Sequence, residues 1–148
     1  MMNLMPLPAK ALNLVPHEGR MCMVDEVVSL GQDGAVVRAC AAADGLLVSA
    51  VDGRLDEVMF AELVAQAYAA YRGYELMVSG LPPRDGFLVA IRQLDVLGSA
   101  YAGEELMVTV STVGSLDGFA VVAGEVRRGE ILLARAKLKI YIPEGTLP

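Results

Sequence analysis

The sequence predicts an α+β domain in which a curved antiparallel sheet wraps round one long central helix. Three observations carry this. Residues 56–76, DEVMFAELVAQAYAAYRGYEL, hold no Pro and no Gly before Gly73, and are rich in the helix formers Ala, Leu and Glu. From residue 86 onward the chain reads as strand after strand, broken by tight Gly-containing turns. The helix itself has no broad polar face: Met59, Phe60, Leu63, Val64, Ala67, Tyr68, Ala70 and Tyr71 point in nearly every direction. A helix apolar all round is buried all round. A sheet wrapped round it is the economical packing.

Taken in order, residues 1–12 read as a loose N-terminal arm. Residues 21–30 and 35–42 read as strands joined by the Gly31-Gln32-Asp33-Gly34 turn. Residues 43–55, with Asp44-Gly45 and Asp52-Gly53, read as loop. Asp56 is a candidate N-cap, Glu57 suits the positive end of the helix dipole, and Gly73 marks the end of the helix. Residues 86–97, 104–113, 119–128 and 131–142 read as four strands. The turns at Ala102-Gly103, Asp117-Gly118 and Arg128-Gly129-Glu130 make consecutive strands antiparallel neighbours. The last strand alternates: Ala134, Ala136, Leu138 and Ile140 face one way, Arg135, Lys137, Lys139 and Tyr141 the other. Residues 1–148 thus make a single domain. Its sheet leaves an edge and a face open, which a sheet-extending dimer would cover.

Composition narrows the function. Of 148 residues, 55% are hydrophobic, with no Trp and three Phe, and the mean hydropathy is +0.49. Such a chain hides apolar surface in a partner or lines an apolar channel. The formal net charge of −6 excludes nucleic acid as the main partner. No stretch approaches a membrane span and the N-terminus lacks the plan of a signal peptide, so a cytoplasmic protein is expected. Cys22 and Cys40 match no metal motif and read as buried free thiols of a reducing compartment.

The chemistry candidates are few. Glu62 and Gln66 interrupt the apolar helix one turn apart, on one face. Burial raises a Glu pKa and suits the group to general-acid work. The bland reading is that Glu62 faces a solvent gap or pairs with an Arg. His17, the only histidine, sits between Pro16 and Glu18 ahead of the first strand. Its bland reading is a surface residue or a cap; its functional one is a general acid or base. Phosphate loops, a nucleophile elbow and metal-ligand spacing are all missing, so no cofactor and no metal are expected. The stripe Arg135, Lys137, Lys139 and the pair Arg127-Arg128 fit either an acidic partner or a solvated sheet face.

Leu14-Val15-Pro16-His17, followed by Met21-Cys22-Met23-Val24-Asp25-Glu26-Val27, resembles the opening of the beta-hydroxyacyl-(acyl carrier protein) dehydratases. Glu62-Leu63-Val64-Ala65-Gln66 resembles their helix signature, Glu-x-x-Ala-Gln. Gly103-Glu104-Glu105-Leu106 resembles a step in their strand meander. The resemblance spans roughly residues 12–143. It implies the hotdog fold, the sheet-round-helix packing already derived, usually paired as a dimer. One departure stands out. The housekeeping enzymes carry a His in a loop before the helix, and residues 47–55 here hold none. The chain therefore resembles the divergent dehydratase-like branch of aryl polyene and polyketide-type pathways.

That resemblance implies dehydration of a 3-hydroxyacyl thioester, on acyl carrier protein or coenzyme A, to a trans-2-enoyl thioester. In this reading His17 removes the C2 proton and Glu62 protonates the departing C3 hydroxyl. Gln66 orients Glu62 or binds the hydroxyl. Backbone N–H groups near Asp56, Glu57 and Val58 would stabilise the enolate oxygen. The partner chain would be a second copy or another hotdog protein. Two rival readings are a non-catalytic subunit paired with an active dehydratase, and an acyl thioesterase that uses Glu62 without His17.

Overall fold

A computed structural model describes residues 6–11, 14, 22–82, 84 and 86–143. In chain order the elements are β1 (Ala9–Lys10), β2 (Glu26–Gly31), β3 (Gly34–Cys40), α1 (Val58–Val78), β4 (Phe87–Val96), β5 (Glu105–Leu116), β6 (Phe119–Arg128) and β7 (Ile131–Tyr141). The strands form one antiparallel sheet in the order β1-β2-β3-β5-β6-β7-β4. Helix α1 packs across it and touches β2 through β7. This is the hotdog arrangement that the sequence predicts.

The core follows from strand alternation. Val37, Val108, Val110, Val122, Val126 and Leu138 present one face of the sheet to Phe60, Leu63, Val64 and Ala67 of the helix, and all are buried. Gly124 of β6 lets Val64 of the helix come close to the sheet. A Cβ there would fall 2.7 Å from Val64 Cγ2.

Several details differ from expectation. Part of the expected loose arm, Ala9–Lys10, is a short strand paired with Val27 and Glu26. The helical run begins at Val58, with Glu57 already in helical dihedrals. The Asp56 carboxylate accepts the Val58 N–H at 2.9 Å. Gly73 does not end the helix. It lies buried within it, where a Cβ would run into the Leu14 carbonyl, so its role is close approach. The helix stops instead at Gly80, whose φ is 73°. Gly80 N–H bonds to the Met77 carbonyl and Leu81 N–H to the Leu76 carbonyl, the paired bonds of a left-handed helix stop.

β4 and β5 are not neighbours, contrary to the expectation from the Ala102-Gly103 turn. β4 pairs with β7 at the far edge, Phe87 opposite Tyr141 and Val96 opposite Ala134. Residues 97–104 are a crossover rather than a hairpin. Their backbone groups bond to Leu133, Gly53, Leu55 and Ala41, which leaves no hairpin ladder to form. The edge strand β4 exposes Phe87, Leu88, Val89 and Ile91.

Candidate active site

α1 is not buried all round. Glu62, Ala65 and Ala69 are half-buried and Arg72 is exposed, while Phe60, Leu63, Val64 and Ala67 on the other side are fully covered. The spacing of three and four places the first set along one stripe. This stripe forms one wall of a cavity of about 260 Å³, closed on the other side by Phe87, Leu88, Ile140 and Ile142. Glu62 is thus held at the wall of an apolar groove and is not enclosed in the core.

Gln66 fixes how Glu62 is presented. Its side chain is completely buried. Its carbonyl oxygen accepts the backbone N–H of Met23 at 2.7 Å, and its amide N–H donates to Oε1 of Glu62 at 2.9 Å. A backbone N–H can only donate, so the Gln66 oxygen must face Met23 and its NH₂ must face Glu62. The i, i+4 pair read from the sequence is therefore a bonded pair, tied to the segment before β2.

The segment before β2 is anchored a second time. Arg38 of β3 donates to Asp25 at 3.3 Å and to Glu26 at 3.1 Å. Burial raises the Asp25 carboxyl above the ordinary carboxylate range, and the Arg38 charge opposes that shift. The residues Met23 to Glu26 are thereby clamped between α1 and β3.

Farther along α1 a second polar cluster appears. The Arg72 guanidinium donates to Oε1 of Glu75 at 2.6 Å, and the Tyr71 hydroxyl donates to Oε2 of Glu75 at 3.1 Å. Burial, together with the negative Glu75, pushes the Tyr71 phenol up to about 12. Tyr68 and Thr112 hydroxyls bond at 2.8 Å.

Other expected site residues fall elsewhere. His17 lies outside the described residues. Asp56, Glu57 and Val58 are exposed, and Asp56 and Glu57 line a separate hollow with Ser49, Asp52 and Arg54. The Val58 N–H is already taken by the Asp56 carboxylate. Two carboxylates and an occupied donor make a poor cradle for an enolate. The thiols need correction. Cys22 is half-buried and Cys40 exposed. Cys40 follows the inward-facing Ala39 on β3, so alternation turns it outward. The basic stripe is largely neutralised: Arg127 and Arg135 both pair with Glu125, and Arg128 with Glu104. Lys139 lies over the Phe119 ring.

The sequence reading missed Arg72 and Arg84 as cavity residues. Arg72 was findable, because 62, 65, 69 and 72 share one helical face; Arg84 sits in a loop with no periodic signal.

Fold and cavity together define a hotdog domain that presents one braced carboxylate to an apolar groove. The chain belongs to the ApeP-like family, described as ApeP dehydratase, which it matches over residues 9–147. Among solved structures it is similar to a chain of the dehydratase heterocomplex ApeI:P from Xenorhabdus doucetiae. The TM-score is 0.82 at 20% identity, covering 96% of this chain and 95% of that one. It is also similar in fold to the PaaI protein of the E. coli phenylacetic acid degradation operon. There the TM-score is 0.59 at 16% identity, over 78% and 80% of the two chains. A hypothetical thioesterase protein of Streptococcus pneumoniae, solved with coenzyme A, gives 0.57 at 11% identity, over 79% and 86%. A search of curated proteins gives no match.

Proposed function

We propose that this chain dehydrates a 3-hydroxyacyl thioester, borne on acyl carrier protein or coenzyme A, to the trans-2-enoyl thioester. The observation that carries the reading is the fixed Gln66–Glu62 pair at the wall of an apolar groove. Membership of a dehydratase family supports the reaction type.

In the proposed step His17 takes a proton from C2 and the C2–C3 double bond forms. The C3 hydroxyl leaves as water with a proton from Glu62. Gln66 donates to one oxygen of Glu62, which leaves the carboxyl proton for the other oxygen, the geometry of a general acid. Sequence distance supports the assignment of His17. Leu14 rests on Gly73 of α1, and Met23 is bonded to Gln66. His17 lies between these tethers, six residues before Met23, within a chain reach of about 20 Å. The thioester carbonyl is not assigned to the N–H groups of Asp56 and Val58, which already donate to the Leu47 carbonyl and the Asp56 carboxylate.

The exposed apolar edge of β4 supports pairing with a second hotdog chain, its own copy or a different one. The similarity to a chain of a dehydratase heterocomplex favours a different one. It also sustains the second reading, a non-catalytic subunit of such a pair, which the His-free loop at residues 47–55 favours as well.

Mass spectrometry of a 3-hydroxyacyl carrier-protein thioester tests this. Wild type should remove one water, and folded His17→Ala and Glu62→Gln variants should not. Full activity of either variant would remove that residue from the mechanism. Release of free acid would make the chain a thioesterase, and an unchanged substrate would favour the partner-subunit reading.

A further inference from the structure

The cavity beside Glu62 changes character along its length. Its near part is walled by Ala65, Ala69, Leu88 and Ile140, with no polar side chain among them. Farther along α1 its lining takes in Arg72 and Leu76 and, from the loop before β4, Arg84. Glu62 and Arg72 are ten residues apart on one helix, a rise of about 15 Å. Tyr68, Arg72 and Arg84 also line a broader hollow beyond, beside Tyr71 and Glu75. The apolar groove therefore runs from a carboxylate to a cationic end.

That end is partly built in advance. Glu75 accepts from both Arg72 and Tyr71, which holds the Arg72 guanidinium in place and leaves it four further N–H donors. Arg84 is exposed and makes no hydrogen bond or ion pair among the described residues. Both guanidinium groups reach solvent, so a methyl-ended chain lying in this groove would gain nothing from them and would displace part of their hydration. An oxygen acceptor at the tip would receive charge-assisted hydrogen bonds, and a carboxylate matches the guanidinium fork best.

We infer that the acyl group of the substrate ends in an oxygen acceptor, a carboxylate in its strongest form, bound by Arg72 and Arg84. The inference rests on the proposed function, because Glu62 marks the thioester end of the groove.

The test compares three 3-hydroxyacyl carrier-protein thioesters of equal length, ending in carboxylate, hydroxyl or methyl. Wild type should favour the oxygen-ended pair over the methyl-ended one in kcat/KM by about tenfold or more, the worth of one charge-assisted bond. Arg84→Gln should erase most of that preference, Arg84→Lys should keep part of it, and Arg72→Gln should weaken it. Equal or better turnover of the methyl-ended thioester overturns the inference and leaves dehydration standing. A preference that survives both Gln variants overturns it too. So does an Arg84→Gln variant that slows all three thioesters alike, since that is loss of carrier docking. Binding of the saturated thioesters, which have no hydroxyl to lose, is titrated in parallel. If wild type dehydrates nothing, that titration still decides: tighter binding of the oxygen-ended pair, lost in Arg84→Gln, sustains the inference, and equal binding overturns it.

Discussion

Gln66 donates to Glu62 across a single helical turn, at 2.9 Å, while its own oxygen is occupied by the backbone of Met23. One buried amide thus serves two masters, the carboxylate and the chain entering β2. Gln66→Met keeps the volume and removes both bonds. The Met23 N–H is then left without its partner, at a cost of about 1–3 kcal/mol. Urea unfolding should show that loss, and dehydration should fall further than the unfolded fraction explains. Unchanged stability would mean the amide is not holding Met23.

Gly124 and Val64 set the distance between sheet and helix. Gly124→Ala places a Cβ 2.7 Å from Val64 Cγ2 and should destabilise by about 1–3 kcal/mol. Val64→Ala in the same chain should return much of it, which a double-mutant cycle reads as a coupling. Simple additivity of the two changes would contradict the packing.

Ala69 lines the groove and is half-buried at the margin of the core. Ala69→Leu should slow turnover of long acyl chains roughly tenfold relative to short ones, with a stability loss below the about 1–3 kcal/mol of an overpacked core. Equal slowing of all chain lengths would place the acyl group elsewhere.

Tyr71 gives the fold a sensitivity to alkali. Its folded pKa, about 12, exceeds its ordinary value near 10. Between those values the unfolded chain has released the proton and the folded one has kept it, so unfolding becomes easier as pH rises. This contribution is fully present below pH 10 and is lost as pH climbs to about 12. Tyr71→Phe should flatten the stability profile across that window, and an unaltered slope would count against the Tyr71–Glu75 bond.

The thiols should separate under alkylation. Cys40 is exposed; Cys22 is half-buried, with its thiol pushed up by burial. A limiting dose of iodoacetamide followed by peptide mapping should find the first adduct on Cys40. Early modification of Cys22 would contradict its placement.

What could be read from the sequence was what local chemistry decides. The helix shows because a Pro-free run of Ala, Leu and Glu has little else to become, and Glu62 and Gln66 pair because helical spacing requires it. The Met23–Gln66 bond joins residues 43 positions apart, and no local pattern reports it. Gly73 was misread as a stop because a glycine's sequence context does not distinguish a left-handed turn from a close approach. The neighbours of β4 were misread because pairing depends on where residues 97–104 travel, which their turn residues do not encode. At the helix N-terminus the sequence offers Asp56 as a cap, and its carboxylate does take the Val58 N–H.

The two sides of α1 differ in how freely they tolerate change. Where the helix meets the sheet, Gly124 leaves no room for even a methyl group beside Val64 without a neighbour giving way. On the groove side, Ala65 and Ala69 look onto open space, and Arg72 reaches solvent. Substitutions there would reshape the bore or recharge its end with less disturbance of the packed interior than at Gly124. The helix therefore works like a tool holder, with a fixed shank and an interchangeable bit. A duplicated copy of this gene could change what the groove accepts through these three positions while the sheet contact of the helix is kept.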